Sequence, residues 1–135
     1  MINELKQKLS KLENSTNFNE LDFPIKESEI SRTLAKLKLN KSPGLDNISN
    51  NMLKNGQSIL LPSLKKMFNA CLSSGGYPKI WADGCITTIH KANDMTDPNN
   101  YRGITVTSAV GKVFDSILST RLDDFLGKNN VINNC

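Results

Sequence analysis

Two short runs, Cys85-Ile86-Thr87-Thr88-Ile89 and Arg102-Gly103-Ile104-Thr105-Val106-Thr107, decide how the rest of this chain reads. Both are rich in β-branched residues, whose stiff side chains suit a pleated surface, and both are too short for a helix. The segment between them, Ala92 to Asn100, is polar and carries Asp, Asn and Pro. That pattern predicts an antiparallel hairpin with a long tip loop. The segments on either side have a helical period. The expected class is α+β, mostly helical with one antiparallel β-hairpin.

Downstream of the hairpin, Ser108 is placed to cap a helix with the stripe Val110, Val113, Phe114, Ile117, Leu118, Leu122 and Phe125, and Gly127 should end it. Upstream, Ser58 to Ser73 predicts a helix whose core face is Leu60, Leu64, Met67, Phe68, Cys71 and Leu72. A shorter helix holding Ile48, Met52 and Leu53 should start at an Asp46 cap and stop at Gly56. Before it, Glu27 to Leu39 predicts a helix with Ile30, Leu34 and Leu37 buried. Its glutamates lie in the first turn and its lysines near the end, which complements the helix dipole. At the N-terminus, Leu5, Leu9 and Leu12 are spaced for a short amphipathic helix followed by a polar linker.

The chain has 135 residues, one small domain's worth, with 38% apolar and 22% charged residues. Its 17 asparagines favour turns and caps over helix interiors. No apolar run approaches the ~20 residues that span a bilayer, and Met1 to Lys6 lacks a signal-peptide core. The three cysteines, 71, 85 and 135, form no Cys-x-x-Cys pair, which argues against a disulfide framework or a zinc knuckle. Cys71 and Cys85 fall in apolar patterns and read as small buried hydrophobes, and reduced thiols point to an intracellular protein.

The net charge of +4 is unevenly placed. Residues 30–66 hold seven basic side chains against Asp46 alone, a local charge of +6, whereas residues 67–135 are balanced. A basic stretch suits a polyanion, and equally a solvated lysine-rich helix face. Lys91 and Arg102 bracket the hairpin loop and should sit near its tip on facing strands. A point charge and a planar fork held side by side fit a triphosphate or a nucleic-acid backbone. Solvated charges guarding a strand edge fit the same spacing. The turn Lys41-Ser42-Pro43-Gly44-Leu45-Asp46 offers backbone N–H groups to a phosphate, or simply links two helices. Asp123-Asp124 look like a metal pair, but their helical period puts them in solvent with no third ligand nearby. His90, the only histidine, has no relay partner in sequence and reads as a strand-end side chain with a local hydrogen bond.

Taken in order, these features resemble a known family. Glu29-Ile30, Leu37, Lys41-Ser42-Pro43-Gly44-Leu45-Asp46-Asn47-Ile48 and Leu53-Lys54 are followed by Phe68-Asn69, Leu72, Gly76-Tyr77-Pro78 and Trp81. Ile89-His90-Lys91, Asn100-Tyr101-Arg102-Gly103-Ile104, Ser108, Lys112-Val113-Phe114 and Arg121-Leu122 complete the set. The run resembles the reverse transcriptases of non-LTR (LINE-type, jockey-like) retrotransposons over about residues 22–135.

Residues 1–21, ahead of the resemblance, are expected to be the N-terminal helix and linker. Residues 22–135 would be a partial reverse transcriptase domain, the fingers region of a right-hand polymerase without its palm. The resemblance implies that Lys91 and Arg102 contact the incoming nucleotide's triphosphate or the template. The turn of Lys41, Ser42, Pro43, Gly44 and Asp46 would be a template-side element, and Lys112 and Arg121 candidate backbone contacts. An RNA template, a DNA primer, a dNTP and the missing palm are the implied partners, in nucleus or cytoplasm, with no membrane. Magnesium is implied for the full-length enzyme. The catalytic carboxylates and the Tyr-x-Asp-Asp box would lie beyond residue 135, so this chain binds no metal and is expected not to polymerise alone. The family usually has Pro where this chain has Gly103. The alternatives are a non-catalytic nucleic-acid-binding module or a helical protein-interaction domain.

Overall fold

The computed structural model describes residues 19–128. The expected helix on Leu5, Leu9 and Leu12, the Val131-Ile132 segment and Cys135 lie outside them. The described elements are α1 (Asn19–Asp22), α2 (Glu27–Lys36), α3 (Asn50–Asn55), α4 (Gln57–Ser74), α5 (Lys79–Ala82), β1 (Cys85–His90), a 3-10 turn (Pro98–Asn100), β2 (Tyr101–Val106) and α6 (Ala109–Lys128). This is the expected mixture of helices with one two-stranded antiparallel sheet.

Helix α2 begins where the Glu29 carboxylate accepts a hydrogen bond from the Lys26 N–H at 2.8 Å. It ends at Leu37, which turns extended, so the helix is shorter than the pattern to Leu39 implied. The cause lies in the next helix. Asn50 donates to the Lys38 carbonyl at 2.8 Å, and Asn51 exchanges two hydrogen bonds with Asn40, which takes a left-handed φ of 56°. These bonds hold residues 38–40 as a turn that a continuing helix could not make.

Asp46 does not cap α3. The helix starts at Asn50 with Ser49 as its cap, whose Oγ accepts from the Met52 N–H at 3.2 Å, and Ile48 precedes it. Ser49 wins because Asp46 is engaged elsewhere. Helix α4 ends at Gly75, whose φ of 65° is the left-handed cap glycine adopts without strain. Helix α6 is capped by Ser108 as expected, through a Gly111 N–H donor at 3.2 Å. It is helical through Lys128, the last described residue, and so includes Gly127.

The core forms where α2, α4 and α6 meet. Ile25, Ile30, Leu34, Leu64, Phe68, Val113, Phe114 and Ile117 are buried there. An aromatic cluster sits at its centre, with ring centroids 5.3 Å apart for Phe68–Phe114, 5.9 Å for Phe68–Trp81 and 5.8 Å for Trp81–Phe114. The short helix α5, absent from the periodicity, exists to deliver Trp81 to this cluster. Gly111 makes room for it: a Cβ there would lie 2.8 Å from the Trp81 Cβ. Cys71 packs against the core as a small hydrophobe. Cys85 does not: it is exposed on β1, because no described element covers that strand as the apolar pattern implied.

Candidate nucleic-acid interface

The hairpin pairs Cys85 with Val106 through His90 with Tyr101, and Ile89 stands opposite Arg102. The Lys91 N–H extends the ladder to the Asn100 carbonyl at 2.7 Å. Side chains directly opposite share a face, and so do residues two apart along a strand. Lys91 and Arg102 therefore project from one face, that of Ile89 and Ile104. All four line a concavity of about 270 Å³ near the hairpin tip.

The tip loop is built to keep this end fixed. Asp94 and Asp97 each accept from the N–H two residues on, at 2.9 Å in both cases. Asn100 donates to the Asp94 carbonyl and the Tyr101 hydroxyl to the Met95 carbonyl, both at 2.9 Å. His90 lies on the opposite face with its ring edge-on to Tyr101, centroids 5.3 Å apart. Its Nε2 is buried and makes no hydrogen bond among the described residues.

The same hairpin face continues away from the tip into a larger concavity of about 570 Å³. Ile89 and Ile104 line both, so the two hollows adjoin. Lys36, Lys38, Lys41 and Lys112 rim the larger part, with Ser42 and Pro43 beside them. No Asp or Glu lines either hollow. Among the described residues none of the six cations forms an ion pair.

The 41–46 turn explains how the lysines get there. Asp46 accepts from the Ser108 hydroxyl at 2.5 Å and from the Ile48 N–H at 3.1 Å. Gly44 is buried against the chain just before α6, where a Cβ would lie 2.8 Å from the Ser108 nitrogen and from the Thr107 carbonyl carbon. Backbone atoms cannot yield as a flexible side chain can, so only glycine fits this close approach. Within one motif, Gly44 and Asp46 tie the turn to α6, and Lys41, Ser42 and Pro43 line the groove.

Arg121 sits elsewhere. Its side chain is 12% exposed and forms a bidentate pair with Glu29, at 2.8 and 2.9 Å. It also donates to the carbonyls of Leu21, Phe23 and Pro24. The guanidinium fork thus clamps the segment before α2 onto α6, and holds the Glu29 carboxyl below the ordinary glutamate range. Lys36 and Lys38, which in the sequence read as helix-end charges complementing the dipole, also line the groove. The signal for them was the local charge of residues 30–66.

A carboxylate-free, cation-lined groove on a hairpin acquires meaning from the relatives of this chain. No family model matches it. It is 32% identical over 110 residues to the probable RNA-directed DNA polymerase from transposon BS of Drosophila melanogaster, covering 81% of this chain and 12% of that protein. It is 33% identical over 95 residues to the RNA-directed DNA polymerase from mobile element jockey of the same fly, covering 70% of this chain and 10% of that protein. Over most of its length the chain is similar, at about 30% identity, to a segment of several non-LTR retrotransposon RNA-directed DNA polymerases. A match in Bradysia coprophila, the Pol polyprotein of type-1 retrotransposable element R1, is 29% identical and covers 73% of this chain. The chain spans about a tenth of the length of these polymerases.

Among the described residues no three His, Cys, Asp or Glu side chains gather where a metal ion could be held. Asp123 and Asp124 are both exposed. No described helix is long and apolar enough to cross a membrane.

Proposed function

We propose that this chain forms the fingers side of a retrotransposon RNA-directed DNA polymerase and uses its basic groove to hold nucleic-acid and nucleotide phosphates. Lys91 and Arg102 at the hairpin tip would contact the incoming triphosphate or the template. Lys41 and Lys112, with Lys36 and Lys38, would neutralise the template backbone, and Ser42 and Pro43 would border its path. The domain reading, residues 22–135 as part of a polymerase domain and 1–21 as a preceding helix and linker, belongs to the same proposal. So does the assignment of bond-making to carboxylates outside these residues. Arg121 enters as the clamp that shapes the scaffold, not as a phosphate ligand.

One observation carries this reading: six cations from three separate parts of the fold rim two adjoining hollows with no carboxylate in either. Unpaired like charges repel one another, and a polyanion relieves that repulsion. Cations at a reaction centre for phosphoryl transfer also stabilise the charge of a departing pyrophosphate.

The test is anisotropy of labelled single-stranded RNA titrated with the chain across a salt series. Affinity should fall with salt, with a slope of about −0.7 per neutralised phosphate on a single strand. Lys91→Ala and Arg102→Ala should each weaken RNA or triphosphate binding by about 1–3 kcal/mol, the cost of a lost charge-assisted hydrogen bond. Unchanged binding in both variants removes the proposed role. Salt-independent binding would favour a protein-interaction domain instead, and magnesium-dependent primer extension by this chain alone would overturn its non-catalytic assignment.

A further inference from the structure

We infer that Ser42 is a phosphorylation site for a proline-directed protein kinase, and that a phosphate placed on it closes the basic groove to nucleic acid. This rests on the proposed phosphate-binding role of the groove and gives that role a switch. Ser42-Pro43 stands in the turn between α2 and α3, and of the five prolines in the chain only Pro43 follows a serine or threonine. Residues 41–44 lie in neither helix nor strand, and Lys41, Ser42 and Pro43 are all exposed. Proline disfavours the helical region for the residue before it, which biases Ser42 toward the extended backbone that a kinase cleft accepts. After the serine the turn is anchored at Gly44, against Thr107 and Ser108. Before it, the bonds that Asn50 and Asn51 make to residues 38 and 40 are exposed. Opening those bonds alone presents the serine while the rest of the fold stays closed.

The location of Ser42 sets the consequence. In the kinase the Ser42 Oγ attacks the γ-phosphorus of a nucleoside triphosphate. A new O–P bond forms, the bond to the bridging oxygen breaks, the nucleoside diphosphate leaves, and the hydroxyl proton passes to the kinase's base. The phosphoserine carries about −1.5 to −2 charge and three strong acceptor oxygens. Ser42 lines the larger hollow together with Lys36, Lys38, Lys41 and Lys112. None of these four lysines has an ion pair among the described residues, and no carboxylate lines the hollow. The new dianion therefore meets unpaired ammonium groups, neutralises about two of them, and sits on the rim that a nucleic-acid backbone would follow. Charge-assisted bonds to the lysines hold it there.

The experiment incubates the full chain with a purified mitogen-activated protein kinase and magnesium ATP, and locates phosphate by peptide mass spectrometry. Phosphate should appear at Ser42 and be absent there from Ser42→Ala and Pro43→Ala. A second sample carries phosphoserine installed at position 42 during synthesis, and its binding to single-stranded RNA is read by anisotropy across a salt series. Loss of two phosphate contacts should make the salt slope shallower by about 1.4 and weaken binding about tenfold near 0.15 M salt. Phosphoserine installed at Ser58, which is exposed on α4 and lines neither hollow, adds the same charge. It should change affinity far less, because salt confines its field to about 8 Å. Equal weakening by the two phosphoserines overturns the inference, and so does a kinase that leaves Ser42 unmodified. If the chain without phosphate fails to bind RNA, the role of the groove fails and the switch with it. If that chain binds and the phosphoserine-42 chain binds equally, only the switch is lost.

Discussion

The helical body and the hairpin of this chain use apolar residues in opposite ways. In the body, Phe68, Trp81 and Phe114 close on one another, and even Arg121 is committed to Glu29 and three backbone carbonyls. In the hairpin, Ile86 is 71% exposed and Ile89 and Ile104 are exposed as well, one on one face and two on the other. A sheet that merely completed a core would bury one face. This one is attached through its ends, where Gly44 and Asp46 pack against the residues that follow β2. The body closes around its aromatic centre, although Ile59 and Met52 on its surface stay exposed. The hairpin holds its side chains out for something else, and its two cations share the face that continues into the basic groove.

The widest separation between the two regions should come from the aromatic cluster. Phe68→Ala removes the ring at its centre and should cost about 3–5 kcal/mol, the range for a large buried side chain. Urea denaturation followed by far-UV circular dichroism measures this directly. RNA binding should disappear only along with the fold, because Phe68 lines neither hollow. A stable Phe68→Ala chain that has lost RNA binding would contradict the division of labour.

A smaller loss, roughly 1.5–3 kcal/mol, is expected for Arg121→Ala, because charge-assisted hydrogen bonds of a partly buried guanidinium are removed. Its signature is in the pH dependence. The Arg121 guanidinium lowers the Glu29 carboxyl, so the pair's stabilisation is complete above the ordinary glutamate value of about 4.3 and is lost as pH falls through the lower folded-state value. Wild-type stability should therefore decline in acid more steeply than that of Arg121→Ala. Matching acid profiles would mean that the clamp contributes nothing.

These contrasts bear on what could be read in the sequence. Helices α2, α4 and α6 were legible because burial imposes a 3.6-residue period, and the hairpin because β-branched runs flank a turn-rich loop. Short α5 was not, since four residues carry no period and its purpose, seating Trp81 beside Gly111, is tertiary. Asp46 misled for a similar reason. A cap and a long-range acceptor look alike in sequence, and only the fold brings Ser108 within reach. Arg121 looked like the other basic residues until its neighbours, residues 21 to 29, were folded onto it. For the groove, Lys91 and Arg102 could be placed from hairpin register alone. Lys36, Lys38, Lys41 and Lys112 converge from two segments far apart in the chain, which spacing does not reveal.

The finest test asks whether body and hairpin unfold as one unit. Gly103 sits in β2 opposite Thr88 with an ordinary, non-positive φ, and a Cβ there would meet only the Ile86 Cγ2 at 3.5 Å, a normal contact. Gly103→Ala should therefore fit the strand without strain. It reduces the freedom of the unfolded hairpin, which stabilises the folded form by about 0.4–1 kcal/mol. If the hairpin opens locally, as its exposed side chains imply, that gain should slow hydrogen exchange at amides of β1 and β2 while those of α4 and α6 exchange as before. The urea midpoint should barely move, and RNA affinity should hold or rise slightly, because the platform under Lys91 and Arg102 is stiffer. A shift of the whole transition, with equal protection of the α4 amides, would instead show that the hairpin folds and unfolds with the body. The contrast between a packed scaffold and an independent finger would then be one of surface chemistry alone.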